Sequence, residues 1–183
     1  METRIVWTRQ HKNVLKNLEE TGRHVATREA IHQNEEAMTM LPAYDWLAQA
    51  IPDQESRPPD AAYPIWLSFR QETTMLTTPG TVLLELEIPQ RCITKLRISH
   101  WGAVNNDSYI PLDEADLAAH RREMKAYGLS DAQACMSRFY PELREKIQRS
   151  WDRIFQTDGA EPLSAYYGLV WELKKEWIRT ITQ

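Results

Sequence analysis

The fold class of this chain is decided by Val82-Leu83-Leu84-Glu85-Leu86-Glu87-Ile88-Pro89, a short apolar stretch that carries two carboxylates and ends in proline. Side chains of a β-strand point alternately to the two faces of a sheet. The apolar residues at even positions are therefore predicted to share one face, while Leu83, Glu85 and Glu87 share the other. We expect the first face to cover a core, and the second either to meet water or to line a site.

Composition limits the classes of protein that this chain can represent. Its 183 residues are enough to bury a core without metal or disulfide support, and we predict a single domain over residues 1–183. The 22 basic and 26 acidic residues give a net charge of -4, which disfavours general nucleic-acid binding but leaves room for a local basic patch.

Cysteine and hydropathy patterns exclude several further classes. Cys92 and Cys135 are far apart in sequence, so neither a disulfide framework nor a zinc site is indicated, and we expect no metal. Apolar runs fall well short of the ~20 residues that a membrane span requires, and the amino terminus lacks the features of a signal peptide. We therefore expect a cytoplasmic protein that does not associate with a membrane.

Further strands are predicted where β-branched and aromatic residues cluster, at residues 4–8, 65–69 and 93–99. The turn signal Thr78-Pro79-Gly80 predicts that the strands at 65–69 and 82–88 pair as a hairpin with a long turn. Together these patterns predict an α+β fold, in which a mainly antiparallel, partly curled sheet packs against helices.

Helices are predicted from apolar spacing around residues 14–22, 27–38, 42–51, 113–128, 130–139 and 141–155. Gly22 and Gly128 are expected to end two of them, and Ser130 with Gln133 has the form of a capping box. Four prolines among polar residues mark residues 52–64 as a mobile connection. Residues 167–181 fit either a strand with a turn or one more helix.

Several chemistries lack the residue spacing that they need. The six glycines are scattered, which excludes a phosphate-binding loop of the Walker type and a dinucleotide fingerprint. The five histidines show no short-spaced ligand pair, and no GxSxG sequence marks a nucleophilic serine. Metal-dependent and serine hydrolases are therefore disfavoured.

The remaining candidates are polar or aromatic residues near strand ends, where a rigid sheet presents side chains to a ligand. A guanidinium binds phosphate through a fork of donors, tryptophan stacks on a flat ring, and a carboxylate stabilises a cationic sugar transition state. Such a set suits a nucleotide-type small molecule such as a nicotinamide cofactor. The candidates are Thr8, Arg9, Gln10, Trp66, Ser68, Glu85, Glu87, Trp101 and Asn105.

Each candidate also fits a purely structural role. Trp66 and Trp101 suit packing in a core or at its rim. Glu85 and Glu87 suit the solvated face of an antiparallel sheet, and Arg9 suits an ordinary surface position. The tryptophans also suit a second class of function, a non-enzymatic interaction module that binds a protein partner through a tryptophan-rich patch.

Six segments carry a resemblance to a known family: Ile5-Val6-Trp7-Thr8-Arg9-Gln10, Ala43-Tyr44-Asp45-Trp46, Pro64-Ile65-Trp66, the strand 83–89, the stretch 99–105, and Ser150-Trp151-Asp152-Arg153-Ile154-Phe155. Through them the chain resembles, over nearly its whole length, an uncharacterised bacterial family of domains of unknown function. That family brings no established activity.

A more distant similarity is to the ADP-ribosyltransferase fold, in its DNA-modifying toxin branch. There a polar triplet at the end of the first strand leads into a helix and a glycine, as Trp7-Thr8-Arg9 leads to Gly22 here. The arginine-serine-glutamate class also carries a serine that Ser68 matches and a Glu-x-Glu pair that Glu85 and Glu87 match. Two features depart from it: nearly half the chain follows Glu87, and if the strand near Val170 is the late one, Leu169 takes the place of the catalytic glutamate.

This similarity implies an ADP-ribosyltransferase-like protein that binds NAD, such as a toxin or phage-conflict component. It implies that Arg9 and Trp66 hold the cofactor and that Ser68 supports its ribose or nicotinamide. Glu87 would stabilise the oxocarbenium-like state, and Glu85 would orient the acceptor.

Overall fold

The computed structural model describes residues 2–29, 40–156 and 161–182. The chain divides into two compact units, one made from Met1–Leu96 with Thr157–Gln183 and the other from Arg97–Gln156. Most of the helix predicted over 27–38 lies outside the described residues.

The first unit is built on one sheet of six strands: β1 (Thr3–His11), β3 (Ile65–Ser68), β4 (Thr81–Pro89), β5 (Thr94–Arg97), β6 (Tyr166–Val170) and β8 (Ile178–Thr182). Their order in the sheet is β5-β6-β3-β1-β4-β8. β1 pairs antiparallel with both β3 and β4, β3 pairs with β6, and β4 pairs with β8. An α+β fold with a mainly antiparallel sheet is thereby confirmed.

The prediction that the strands at 65–69 and 82–88 pair as a hairpin is wrong. β1 lies between β3 and β4 and pairs with each of them. Local turn signals cannot reveal such an insertion, because the inserted strand comes from the start of the chain and its pairing is long-range. The nine-residue ladder between β1 and β4 is the longest in the sheet.

One face of the sheet covers the core, as the alternation in β4 predicts. Val82, Leu84, Leu86 and Ile88 are fully buried at 0% exposure, and they pack with Val6 of β1. Burying side chains of this size stabilises a fold by about 1.5–3 kcal/mol each relative to exposure. This face therefore anchors the first unit, and the opposite face of β4 is left for Leu83, Glu85 and Glu87.

Helix α1 (Lys12–Thr21) packs on the core face through Val14 and Leu18. It ends at Gly22, whose φ of 78° is a left-handed conformation that glycine adopts without strain. The predicted stop at this glycine is confirmed.

The proline-rich residues 52–64 follow helix α2 (Leu41–Ala50) and are tied closely to the first unit. The Arg57 guanidinium donates to the carbonyl oxygens of Ala48, Ala61 and Ala62 at 3.2, 2.9 and 2.9 Å. It also lies over the Trp171 ring, 4.7 Å from its centre. Arg57 therefore links this segment to the end of helix α2 and to the C-terminal part of the chain.

The C-terminal segment, for which the sequence left two alternatives, forms strands. β6 and β8 belong to the main sheet, and between them β7 (Leu173–Lys174) pairs with β2 (Arg23–His24) in a separate two-stranded sheet. A short 3-10 helix over Lys175–Trp177 turns the chain from β7 into β8.

The second unit is helical, with α3 (Ile98–Asn105), α4 (Glu114–Tyr127), α5 (Asp131–Met136) and α6 (Pro141–Ser150). The capping box at Ser130 and the stop at Gly128 are both confirmed. The strand predicted over 93–99 is shorter than expected, since helix α3 begins at Ile98 and contains Trp101. The short helix ends at Met136 rather than near Phe139.

The helix predicted over 141–155 is an α-helix only as far as Ser150, and Trp151–Phe155 form a 3-10 helix. Ser150 is 2% exposed, and its hydroxyl donates to the Ile147 carbonyl and accepts from the Ile110 backbone N–H.

None of the helices within the described ranges is long and apolar enough to cross a membrane.

Candidate functional site

Five residues from neighbouring strands form a row across the polar face of the main sheet. Tyr167 of β6 lies opposite Ser68 of β3, which lies opposite Trp7 of β1, and Trp7 lies opposite Glu85 of β4, which lies opposite Thr180 of β8. Directly opposed residues of paired strands place their side chains on the same face. Strands lie ~4.8 Å apart, so Ser68 and Glu85 are separated by about 10 Å, with the Trp7 side chain between them.

Exposure increases along this row from β3 to β8. Ser68 is 6% exposed, the Glu85 side chain is 30% exposed, and Thr180 is exposed. Among the residues that the structure describes, the Ser68 hydroxyl and the Glu85 carboxylate have no hydrogen-bond partner. The row therefore offers a hydroxyl and a carboxylate on either side of a tryptophan ring, each with hydrogen-bonding capacity to spare.

Glu87 lies on the same face, two residues further along β4, opposite Ile5. Its carboxylate accepts a hydrogen bond of 2.7 Å from the Thr3 hydroxyl, and its side chain is 45% exposed. Glu87 is thus nearer the edge of the polar face than Glu85 and is already hydrogen-bonded to the chain.

Arg179 links the two carboxylates. Its Nε atom lies 3.9 Å from an oxygen of Glu85 and 3.9 Å from an oxygen of Glu87. The register of β4 against β8 shifts here, since Leu86 pairs with Ile178 whereas Glu85 pairs with Thr180. Arg179 is the extra residue of this β-bulge, a device that redirects side chains.

Arg9 is two residues after Trp7 in β1, so the side chains of both point to the same face. Its guanidinium donates to the Leu76 carbonyl oxygen at 2.9 Å and lies 3.6 Å from the Met75 sulfur. Two of its five donors are therefore directed at the loop before β4, and three remain.

Thr8 and Gln10 point to the opposite face of β1. The buried Thr8 hydroxyl donates to the Trp66 carbonyl oxygen at 2.7 Å and accepts from the Gln10 amide at 2.7 Å. Thr8 therefore joins β1 to β3 from the core side, and Gln10 bonds to Thr8 within β1. The structure does not bring these two side chains together with Arg9.

Trp66 lies on the polar face, two positions before Ser68. Its ring makes edge contacts with Tyr44 of α2 at 6.1 Å and with Tyr167 of β6 at 5.5 Å between ring centres. These contacts hold the ring beside the row that contains Tyr167. Trp66 is neither fully buried nor fully exposed.

Trp101 and Asn105 belong to α3 in the second unit, and Trp101 is only 8% exposed. Across residues 2–29, 40–156 and 161–182, no three His, Cys, Asp or Glu side chains gather into a group that could hold a metal ion.

Two members of this arrangement, Tyr167 and Arg179, could not be found from the sequence. Tyr167 joins the row only through the register of β6 against β3, and Arg179 joins through a bulge. Neither the pairing partner of a strand nor the position of a bulge is encoded in the local alternation of side chains.

Comparison with known proteins identifies a family but no characterised relative. Searches of curated proteins and of solved structures find no significant match. The family model described as domain of unknown function (DUF3841) matches residues 5–179. Because this match covers nearly the whole sequence, the chain belongs to that family of domains of unknown function.

Proposed function

We propose that the first unit binds NAD across the polar face of its sheet and acts as an ADP-ribosyltransferase-like enzyme. The observation that carries this proposal is the row in which Ser68 and Glu85 flank Trp7. A flat ring, a hydroxyl and a carboxylate on one rigid surface are the groups needed to hold a nicotinamide ribose and to stabilise positive charge on its sugar. NAD would supply an activated bond between its nicotinamide and its ribose.

Each residue of the row has a role in this proposal. Trp7 offers its ring for stacking, and Ser68 donates its hydroxyl to the ribose or the nicotinamide amide. Glu85 stabilises the cationic character that develops at the sugar. Arg9 directs its remaining donors at a phosphate group, and Trp66 holds the adjoining part of the face through its contacts with two tyrosines.

The geometry favours Glu85 over Glu87 for the charge-stabilising role, in contrast to the sequence-based assignment. Glu85 shares a row with Trp7 and Ser68, whereas Glu87 is opposite Ile5 and accepts a hydrogen bond from Thr3. The Glu85 carboxylate is also the more shielded of the two, and shielding strengthens its interaction with a positive charge. Glu87 is left to orient an acceptor.

Calorimetric titration with NAD and an assay of NAD hydrolysis test this proposal. We expect saturable binding by the wild-type protein, and a loss of about 100-fold or more in hydrolysis for Glu85→Gln with binding largely retained. Ser68→Ala should weaken both. The matched control is Glu19→Gln, an exposed glutamate on α1, which covers the opposite face of the sheet.

Two results would contradict the proposal. One is an absence of heat and of hydrolysis with wild-type protein at millimolar NAD. The other is a Glu85→Gln protein that hydrolyses NAD as fast as Glu19→Gln does.

A second candidate function is the binding of a protein partner through part-exposed aromatic residues. It is supported by the contacts of Trp66 with Tyr44 and Tyr167, which assemble three rings on one surface. Trp101 is not part of these contacts, since it belongs to the second unit and is buried. A partner that is retained by wild-type protein and by Glu85→Gln but lost on Trp66→Ala would favour this function, provided that the variant remains folded.

A further inference from the structure

The second unit contains a cleft of about 570 Å³ between helix α4, the start of helix α5 and the chain before α4. Sites for small molecules in proteins commonly range from about 300 to 1,000 Å³. Leu117, Met124 and Leu129 give it an apolar part, while Tyr109, His120 and Asp131 form a polar and aromatic wall. This cleft lies wholly within the second unit and shares no residue with the row on the sheet.

The wall of the cleft is rigid. The rings of Tyr109 and His120 stack with their centres 4.0 Å apart and their planes 15° apart. One oxygen of Asp131 lies 2.8 Å from His120 Nε2, and the other accepts the backbone N–H of Tyr109 at 2.8 Å. Both residues are buried, Tyr109 at 8% and His120 at 3% exposure, so the stacked pair fixes the shape of the cleft and offers no free ring face.

His120 retains a hydrogen-bonding atom without a partner. The residue is 3% exposed, and its Nδ1 atom is buried with no hydrogen-bond partner among the described residues. Because a carboxylate only accepts hydrogen bonds, Asp131 places the proton of neutral His120 on Nε2 and leaves Nδ1 as an acceptor. A buried acceptor of this kind can take a hydrogen bond from a water molecule or from a ligand donor.

Positive charge is concentrated at this cleft. Arg121 and Lys125 line it from successive turns of α4, and Arg122 adjoins them. All three side chains are exposed, and none has an ion pair or hydrogen bond with another residue in the described part of the chain. The intervening Glu123 is already paired with Lys146 of α6. In a protein of net charge -4, this is a local basic patch.

From these observations we propose that the cleft binds a phosphate monoester carried on a small apolar group. Arg121 can offer a fork of two donors to phosphate oxygens, and Lys125 adds a mobile positive charge from one turn further along the helix. The apolar group packs on Leu117 and Leu129, the part-exposed apolar side chains of the cleft. Phosphate thus supplies the charge complementarity, and the apolar group supplies the buried area.

Nuclear magnetic resonance titration of the 183-residue protein with phenyl phosphate tests this inference. We expect saturable shifts confined to amides around the cleft, and binding at least about tenfold tighter than that of inorganic phosphate or benzoate, each of which lacks one of the two groups. Arg121→Gln combined with Lys125→Gln should weaken binding by about tenfold or more. The control combines Arg91→Gln with Lys95→Gln, which removes the same charge from exposed positions in the first unit.

The inference is overturned if phenyl phosphate gives no saturable shifts, or if it binds no more tightly than inorganic phosphate. It is also overturned if the two double variants lose affinity equally, because the effect would then come from net charge alone. All four substituted side chains are exposed, and the amide spectra of the variants report whether each remains folded.

Discussion

The Nε2 atom of His120 lies 2.8 Å from the Oδ1 atom of Asp131, and this contact joins helix α4 to the first turn of helix α5. The second oxygen of Asp131 accepts the backbone N–H of Tyr109. One carboxylate therefore holds three separate parts of the second unit, and its removal leaves the His120 and Tyr109 donors without their acceptor.

Asp131→Ala should consequently destabilise the protein by about 2–4 kcal/mol, since hydrogen bonds to charged groups contribute about 1.5–3 kcal/mol each and are not additive. Urea unfolding monitored by circular dichroism measures the change. The control is Asp152→Ala, an exposed aspartate in the 3-10 helix that follows α6. Equal midpoints for the two variants would show that this carboxylate does not hold the unit together.

Arg57 is expected to keep residues 52–64 ordered, because it donates to three carbonyl oxygens and covers the Trp171 ring. Arg57→Lys preserves the charge but removes the planar fork, so it should increase amide hydrogen exchange throughout this segment by about tenfold or more. Arg70→Lys, at an exposed position after β3, serves as the control. Unchanged exchange in Arg57→Lys would show that the Arg57 guanidinium does not keep this segment ordered.

Gly168 of β6 has no room for a side chain. An added Cβ atom would lie 3.0 Å from Ile93 Cγ2, 3.2 Å from Leu67 Cβ and 3.3 Å from Phe69 Cζ. Gly168→Ala should therefore destabilise the first unit by about 1–3 kcal/mol, as overpacking of a well-filled core does. Gly102→Ala is the matched control, because its added Cβ would meet nothing within 4 Å. Thermal or urea unfolding compares them, and a Gly168→Ala protein as stable as the control would contradict the packing described for β6.

Burial, reinforced by the carboxylates of Asp107 and Asp131, raises the pKa of the Cys135 thiol to about 11. At pH 8 only about one molecule in a thousand then carries the thiolate, so alkylation by iodoacetamide should be slow and should accelerate up to pH ~11. Peptide mass spectrometry measures the rate, and the same cysteine in urea-unfolded protein provides the comparison. A rate that reaches its plateau near pH 9 in folded protein would contradict this environment.

The same shift links stability to pH. Between about pH 9 and 11 the unfolded chain releases the Cys135 proton while the folded chain retains it. The unfolded state therefore binds fewer protons in this window, and the free energy of unfolding decreases as pH rises. Cys135→Ser should remove this part of the alkaline loss of stability without abolishing the rest.

Much of the local structure could be predicted because its causes are local. Gly22 and Gly128 end helices through left-handed conformations, and Ser130 caps a helix with the hydroxyl of its own side chain. These effects depend on a few consecutive residues, so their positions can be found from the sequence. Strand pairing was predicted less well, since the expected hairpin required β3 and β4 to be neighbours and β1 pairs with both instead.

The candidate site shows the same difference between local patterns, which the sequence contains, and strand pairing, which it does not. Ser68, Glu85 and Arg9 were found from residue type and position, and strand alternation places all three on one face. Thr8 and Gln10 were grouped with Arg9 by sequence proximity, although alternation sends them to the other face. Tyr167 and Arg179 required the register of distant strands and a bulge, which no local pattern contains.

The sequence by itself determined which face of β4 is buried. Side-chain alternation is a property of a single strand, and burying the leucines and isoleucine of one face stabilises the fold relative to leaving them exposed. Only the tertiary structure decided that Trp7 lies between Ser68 and Glu85. These three residues come from strands far apart in the chain, and their proximity depends on which strand edges pair. Backbone hydrogen bonds between strands are nearly the same for any partner, so burial and packing of the whole sheet select the order.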